Sequence, residues 1–263
     1  MSKKLKIVAI TNQKGGVGKT TTTVNLATAL VSLGEKVLII DLDPQGNAST
    51  GLGINKNSRY NKDIYSVLSD NCNINESFHE TIIPDLIIIP STIDLSASEI
   101  ELSSLKNRER RLLKSIQAID IDLDYILIDC PPSLGLLTIN ALTAAHEVLV
   151  PLQCEFYALE GLSQLLKTIE MVKIKLNPNL QIMGIVLTMF DSRNKLSEMV
   201  EQDVRNYLKN KVFDTVIPRN VRISEAPSHG LPVLLYDTQC YGSKAYASLA
   251  GEIINLNRRK NES

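Results

Sequence analysis

The chain has 263 residues but no tryptophan, only three histidines and four cysteines, and 5% aromatic content. Cys72, Cys130, Cys154 and Cys240 never form a CxxC pair. That scatter argues against a disulfide framework and against a zinc or iron–sulfur centre, and it points to a reducing compartment. His79, His146 and His229 make no ligand spacing and read as surface or capping residues. No apolar run approaches the ~18 residues of a membrane span. The opening MSKKLKIVAI imitates a charged leader, but its apolar stretch stops at Thr11 with no small-residue cleavage site. A cytoplasmic protein is expected. Charge of one sign is missing too: 28 Lys+Arg against 29 Asp+Glu leave a net −1. No whole-molecule field draws the chain to nucleic acid, so any DNA contact must rest on a local patch. Pro/Gly-rich linkers, repeats and low-complexity tracts are also absent, so one domain is expected over 1–263, with a core of 1–258 and a polar tail at 259–263.

What the chain does have is hydrophobic content of 44%, arranged in short β-branched runs. These are KIVAIT (6–11), VLIIDLD (37–43), LIIIPS (86–91), YILIDCP (125–131), EVLVPLQ (147–153), IMGIVLTMF (182–190), VFDTVIP (212–218) and LPVLLYD (231–237). Most are continuously apolar, the pattern of strands buried on both faces. Amphipathic stretches such as 159–177 and 194–212 lie between them. Strand–helix alternation predicts an α/β fold: a mostly parallel, doubly wound sheet with helices on both faces. Segment 44–84 is rich in Asn, Ser and Asp and reads as loop plus a short helix. In such sheets ligands sit at the carboxyl ends of the strands.

The first strand runs into KGGVGKTT (14–21) and then a helix ending near Gly34. Strand, glycine-rich loop and helix N-terminus present backbone N–H groups and a positive dipole end to phosphates. Gly15, Gly16 and Gly18 let the backbone approach closely, with Val17 between them. Lys19 then reaches the β- and γ-phosphates, the Thr20 hydroxyl suits Mg2+, and Thr21 completes the cradle. The usual spacing of this loop wants glycine at 13, where the chain has Gln13, and adds a lysine at the entrance, Lys14. Asp41 and Asp43 close the second run. Carboxylates at that sheet edge can hold a metal shell or orient a water; the alternative is an acidic turn before Pro44. YILID ends in Asp129, in the manner of an aspartate that holds Mg2+ through water.

KGGVGKTT, DLDPQGNAS (41–49) and ILIDCPPSLGLLTINAL (126–142) together resemble the deviant Walker-A ATPases of the ParA/Soj partitioning type. VPLQCEFYALEGLSQLL (150–166) and VIPRNVRISEAPSHGLPVLLYD (216–237) extend the resemblance along nearly the whole chain. It implies a P-loop NTPase that binds ATP with Mg2+ and hydrolyses it slowly. It implies that Lys14, otherwise readable as a solvated surface lysine, crosses to phosphate in a partner copy, making ATP binding and homodimer formation one event. Asp43 would position the attacking water, and Pro218 and Asn220 would flank the adenine. On local chemistry alone those two read equally as a proline-led turn.

From residue 191 onward 11 Lys+Arg face 9 Asp+Glu. Scattered charge of this kind is ordinarily a solvated face. The resemblance implies instead that Arg193 and Arg222 join a composite, dimer-built patch for non-specific, salt-sensitive DNA binding on the nucleoid, with release prompted by a ParB-like centromere-binding protein. A MinD-like membrane-associated ATPase would want an amphipathic C-terminal helix, which AGEIINLNRRKNES supplies poorly, so no stable membrane association is expected. A biosynthetic enzyme on the same scaffold is the remaining alternative.

Overall fold

The computed structural model describes residues 4–156 and 158–262. Eight strands form one sheet: β1 Lys6–Ile10, β2 Val37–Asp41, β3 His79–Glu80, β4 Leu86–Ile89, β5 Tyr125–Asp129, β6 Glu147–Gln153, β7 Gln181–Phe190 and β8 Val212–Pro218. Their order is β3-β4-β2-β5-β1-β6-β7-β8, and every pair is parallel except β3–β4. The parallel, doubly wound sheet expected from the apolar runs is present.

Side chains alternate across the pleat, and both faces are dry. Ile7 and Ala9 of β1, with Leu38 and Ile40 of β2, enter one core; Val8 and Ile10, with Val37 and Ile39, enter the other. The first core lies under α3 (Ile64–Leu68), α4 (Leu95–Glu101), α5 (Arg111–Ile116), α6 (Leu136–Ala144), α7 (Ala158–Lys175) and α8 (Lys195–Leu208). The second lies under α1 (Lys19–Ser32), α10 (Val233–Tyr236) and α11 (Tyr241–Glu262). Each fully buried Ile or Leu contributes about 2 kcal/mol, which fixes strand register and hence the positions of the residues at the strand ends. Of the polar tail expected at 259–263, residue 263 lies outside the described residues, and α11 carries the backbone of the others.

Two expectations need correction. The run 231–237 is a helical turn, α10, not a strand. Pro232 sets its N-cap, and the Val233 N–H donates to Asn25 Oδ1 on α1 at 2.7 Å, so a donor a sheet would need is already spent. A short apolar run reads the same for a buried helical turn as for a strand. Segment 44–84 holds more than one short helix: α2 (Asn47–Gly51), α3, two 3-10 turns and β3. Buried polar anchors organise it. The Asp63 carboxylate accepts from Ser66 N–H at the start of α3 and from the Thr92 hydroxyl, and buried Arg59 donates to the carbonyls of Gly46 and Ile54.

Candidate functional site

β1 lies between β5 and β6, so the loop leaving it emerges at the centre of the sheet's carboxyl edge. Ile10 pairs with Asp129, and Asp129 with Asp41, which sets both carboxylates on strands beside that loop. The loop is held from its sides. Asn12 Nδ2 donates to the Pro151 carbonyl at 2.7 Å, and Asn12 Oδ1 accepts from Lys14 N–H at 3.1 Å. The Thr188 hydroxyl donates to the Val17 carbonyl at 2.8 Å. Gly16 and Gly18 take left-handed φ angles of 74° and 86°, which a side chain would strain. Gly18 is also the N-cap of α1 and gives it no side-chain cap. First-turn N–H groups of α1 are thereby left for an anion.

Lys19 is nearly buried, and its ammonium donates to the Lys14 carbonyl at 3.2 Å. Burial pulls its pKa down, an effect that Asp129 opposes. Asp129 is fully buried. Its Oδ1 accepts from the Thr23 hydroxyl at 3.0 Å, while Oδ2 has no partner among the described residues. Burial first, then the charge of Asp41, raises its pKa to about 8, and the Thr20 and Thr23 hydroxyls only partly offset this. A buried carboxylate oxygen without a partner is costly unless a cation arrives. The donor set of Thr20, Asp129 and Asp43 is all oxygen, the chemistry Mg2+ takes. The residues present therefore fit the metal.

Asp41 does different work. Its Oδ2 accepts from both the N–H (2.9 Å) and the hydroxyl (2.6 Å) of Ser49, and Oδ1 accepts from Asp43 N–H at 3.3 Å. Buried and occupied, it ties the end of β2 to α2; burial raises its pKa to about 6 against those hydrogen bonds. Asp43 is 8% exposed and accepts from Gln45 N–H through Oδ1. Lys14 is turned to Glu155, in the segment between β6 and α7, and forms an ion pair with it.

Gly18, Thr21, Thr188, Met189, Pro218 and Asn220 line one cleft of about 250 Å³. The loop and the two expected base-side residues, 200 positions apart, thus share a single space. Asn220 Oδ1 already caps α9 (Val221–Glu225) by accepting from Arg222 N–H at 2.8 Å. The two arginines are not free cations: Arg193 makes a two-pronged pair with Asp191, and Arg222 pairs with Glu225 and Asp237. Arg193, with Arg219 nearby, holds Asp191 down to about 2. Thr23, Ser49, Asn12 and Glu155 were not singled out from sequence. Only Thr23, one helical turn after Lys19, carried a local signal, since i and i+4 share a helix face.

The AAA domain family matches residues 5–182. Chromosome partitioning protein ParA of Caulobacter vibrioides is 56% identical over 256 residues, covering 97% of this chain and 96% of the relative. The sporulation initiation inhibitor protein Soj of Bacillus subtilis is 53% identical over 248 residues, covering 94% and 98%. This chain belongs to the ParA/Soj family of partitioning ATPases. Among solved structures, cobyrinic acid a,c-diamide synthase of Mycobacterium smegmatis with bound ATP analogue and magnesium is similar at a TM-score of 0.83 and 36% identity, covering 94% of this chain and 93% of that one. The scaffold thus also serves a protein with a biosynthetic name, at much lower identity than the two partitioning relatives. Among the described residues no helix is long and apolar enough to cross a membrane.

Proposed function

We propose that this chain binds ATP with Mg2+, pairs with a second copy over the bound nucleotide, and in that state holds DNA without sequence preference. A ParB-like centromere-binding protein then stimulates hydrolysis and release, so that a chromosome or plasmid is segregated. The place of action is the cytoplasm, on the nucleoid. The observation that carries this reading is Asp129: buried, braced by Thr23, and short of one partner beside Lys19 on an uncapped helix N-terminus.

In this reading the triphosphate lies along Lys14–Thr21, and the Lys19 ammonium exchanges the Lys14 carbonyl for the β- and γ-phosphates. Thr20, Asp129 and Asp43 would hold Mg2+, and the bound metal would supply positive charge against the triphosphate. Asp43, close to that shell, orients the water for in-line attack, and Pro218 and Asn220 flank the adenine. Lys14 is paired with Glu155, and it meets the phosphate of the second copy once that pair opens. Arg193 and Arg222 join the DNA surface once their carboxylate partners are displaced by phosphate. A membrane-anchoring role for the C-terminal helix is disfavoured, because Tyr246, Leu249, Ala250 and Ile253 of α11 are committed to the core.

Co-sedimentation with random-sequence DNA, with and without ATP and across a salt series, tests the reading. Retention should need ATP, weaken steeply with salt, and vanish in Lys19→Ala. Equal retention without nucleotide contradicts it.

A further inference from the structure

The most positive stretch of the chain lies far in sequence from the two arginines discussed above. Residues 106–114, KNRERRLLK, carry Lys106, Arg108, Arg110, Arg111 and Lys114 against Glu109 alone, a local charge of 5 − 1 = +4 in a chain of net −1. Four of the five cations are exposed; Arg111 is half-buried. Lys106, Asn107, Arg110, Arg111 and Lys114 line a concavity of about 470 Å³ that has no acidic side chain in its wall.

The cations differ in how they are used. Arg111 is paired with Asp70, and Arg108 with Glu109. Arg110 donates to the Leu176 carbonyl at 2.8 Å, which leaves its charge uncompensated. Among the described residues no carboxylate pairs with Lys106, Arg110 or Lys114. Arg193 and Arg222, by contrast, are each tied to acidic partners. The segment is also fixed in place. Asn140, fully buried on α6, accepts from Leu112 N–H at 3.1 Å and donates to the Arg108 carbonyl at 2.8 Å. α6 is the helix that follows Asp129 and the double proline at 131–132. A rigid, concave group of uncompensated cations fits the phosphates of a duplex, which contribute affinity without reading sequence.

We infer that the 106–114 segment is a second DNA-backbone contact, with Lys106, Arg110 and Lys114 each meeting a phosphate. This rests on the proposed DNA-holding function and adds a location to it. Counterion release gives the expected size: each lost phosphate contact reduces the slope of log affinity against log salt by about 0.9.

The test measures binding of the full chain, with Mg2+ and a non-cleavable ATP analogue, to random-sequence duplex at four or more salt concentrations. Lys106→Ala/Lys114→Ala should bind at least tenfold more weakly at low salt, with a slope shallower by about 1.8. Adding Arg110→Ala should bring the reduction to about 2.7. Pairing in the same analogue, followed by light scattering, reports that each variant is folded. Wild-type affinity and slope in a variant that still pairs overturn this inference while leaving the parent reading intact. Absence of DNA binding by the wild-type chain in every nucleotide state overturns both. A fourth arm uses vesicles of anionic lipid without DNA: loss of vesicle binding with DNA binding unchanged assigns the cations to a membrane and overturns the inference.

Discussion

If Asp129 waits for a cation, binding of Mg2+ and nucleotide should expel a proton. A carboxyl raised to about 8 by burial and by the charge of Asp41 is mostly protonated at pH 7 and mostly ionised by pH 9. Isothermal titration of Mg-ATP analogue in buffers of differing ionisation enthalpy should therefore report close to one proton released per site at pH 7, with the release falling away by pH 9. Asp129→Asn should release none. The same raised pKa has a consequence for stability without ligand. Asp129 and Asp41 both lie above their ordinary 3.8, at about 8 and about 6. The folded state then binds more protons than the unfolded state across that interval. The contribution of these two groups is fully present below about pH 4 and is lost as pH rises through about 6 and about 8. The loss is shared by the pair, because the charge of Asp41 raises the pKa of Asp129. Asp129→Asn without ligand should consequently melt higher than wild type at pH 8, with little difference at pH 4. Equal proton release by wild type and variant, or a wild-type melting temperature flat from pH 5 to pH 8, would refute the assignment of Asp129 as the unsatisfied group.

Three further outcomes are expected. Glu155→Gln releases Lys14 from an exposed pair worth about 0.2–1 kcal/mol; two such pairs open per dimer, so analogue-driven pairing should tighten between about two- and thirty-fold by sedimentation equilibrium. Weaker pairing would mean that Glu155 assists the interface instead of competing with it. Asp43→Ala should bind nucleotide and pair but lose at least about a hundredfold in phosphate release, the scale of a positioned catalytic group; near-normal turnover removes its role with the attacking water. Gly184→Ala should lower stability by about 1–3 kcal/mol, because a Cβ there would lie 2.6 Å from Phe213 Cε2 and 3.1 Å from the Lys211 carbonyl oxygen. Phe213→Leu in the same chain should restore part of that loss in a denaturant melt.

Seven of the eight strands expected from apolar runs are present because a strand buried on both faces has no polar alternation to blur it. LPVLLYD misled for the same reason: four buried residues look alike in either geometry, and only the Asn25–Val233 hydrogen bond decides between them. β3 is two residues long, too short to carry a period. The phosphate loop was legible because its glycines and Lys19 act within eight residues. Its supports were not, since each reaches across the chain: Asn12 to Pro151, Thr23 to Asp129, Thr188 to Val17. The sequence suggests Asp41 and Asp43 as a pair of like function. Ser49, eight residues on, separates them by occupying Asp41 fully. The cations of 106–114 carry no motif in sequence, because it is Asn140 on α6 that fixes them around one concavity.

In the proposed function, triphosphate occupancy joins two copies through Lys14. The most direct measurement is the mass in solution by light scattering, for wild type and Lys14→Ala, with magnesium and a non-cleavable ATP analogue at saturation. Wild type should show twice the protomer mass, and Lys14→Ala a single protomer that still binds the analogue. A wild-type chain that stays single when saturated, or a Lys14→Ala chain that pairs as tightly as wild type, contradicts it.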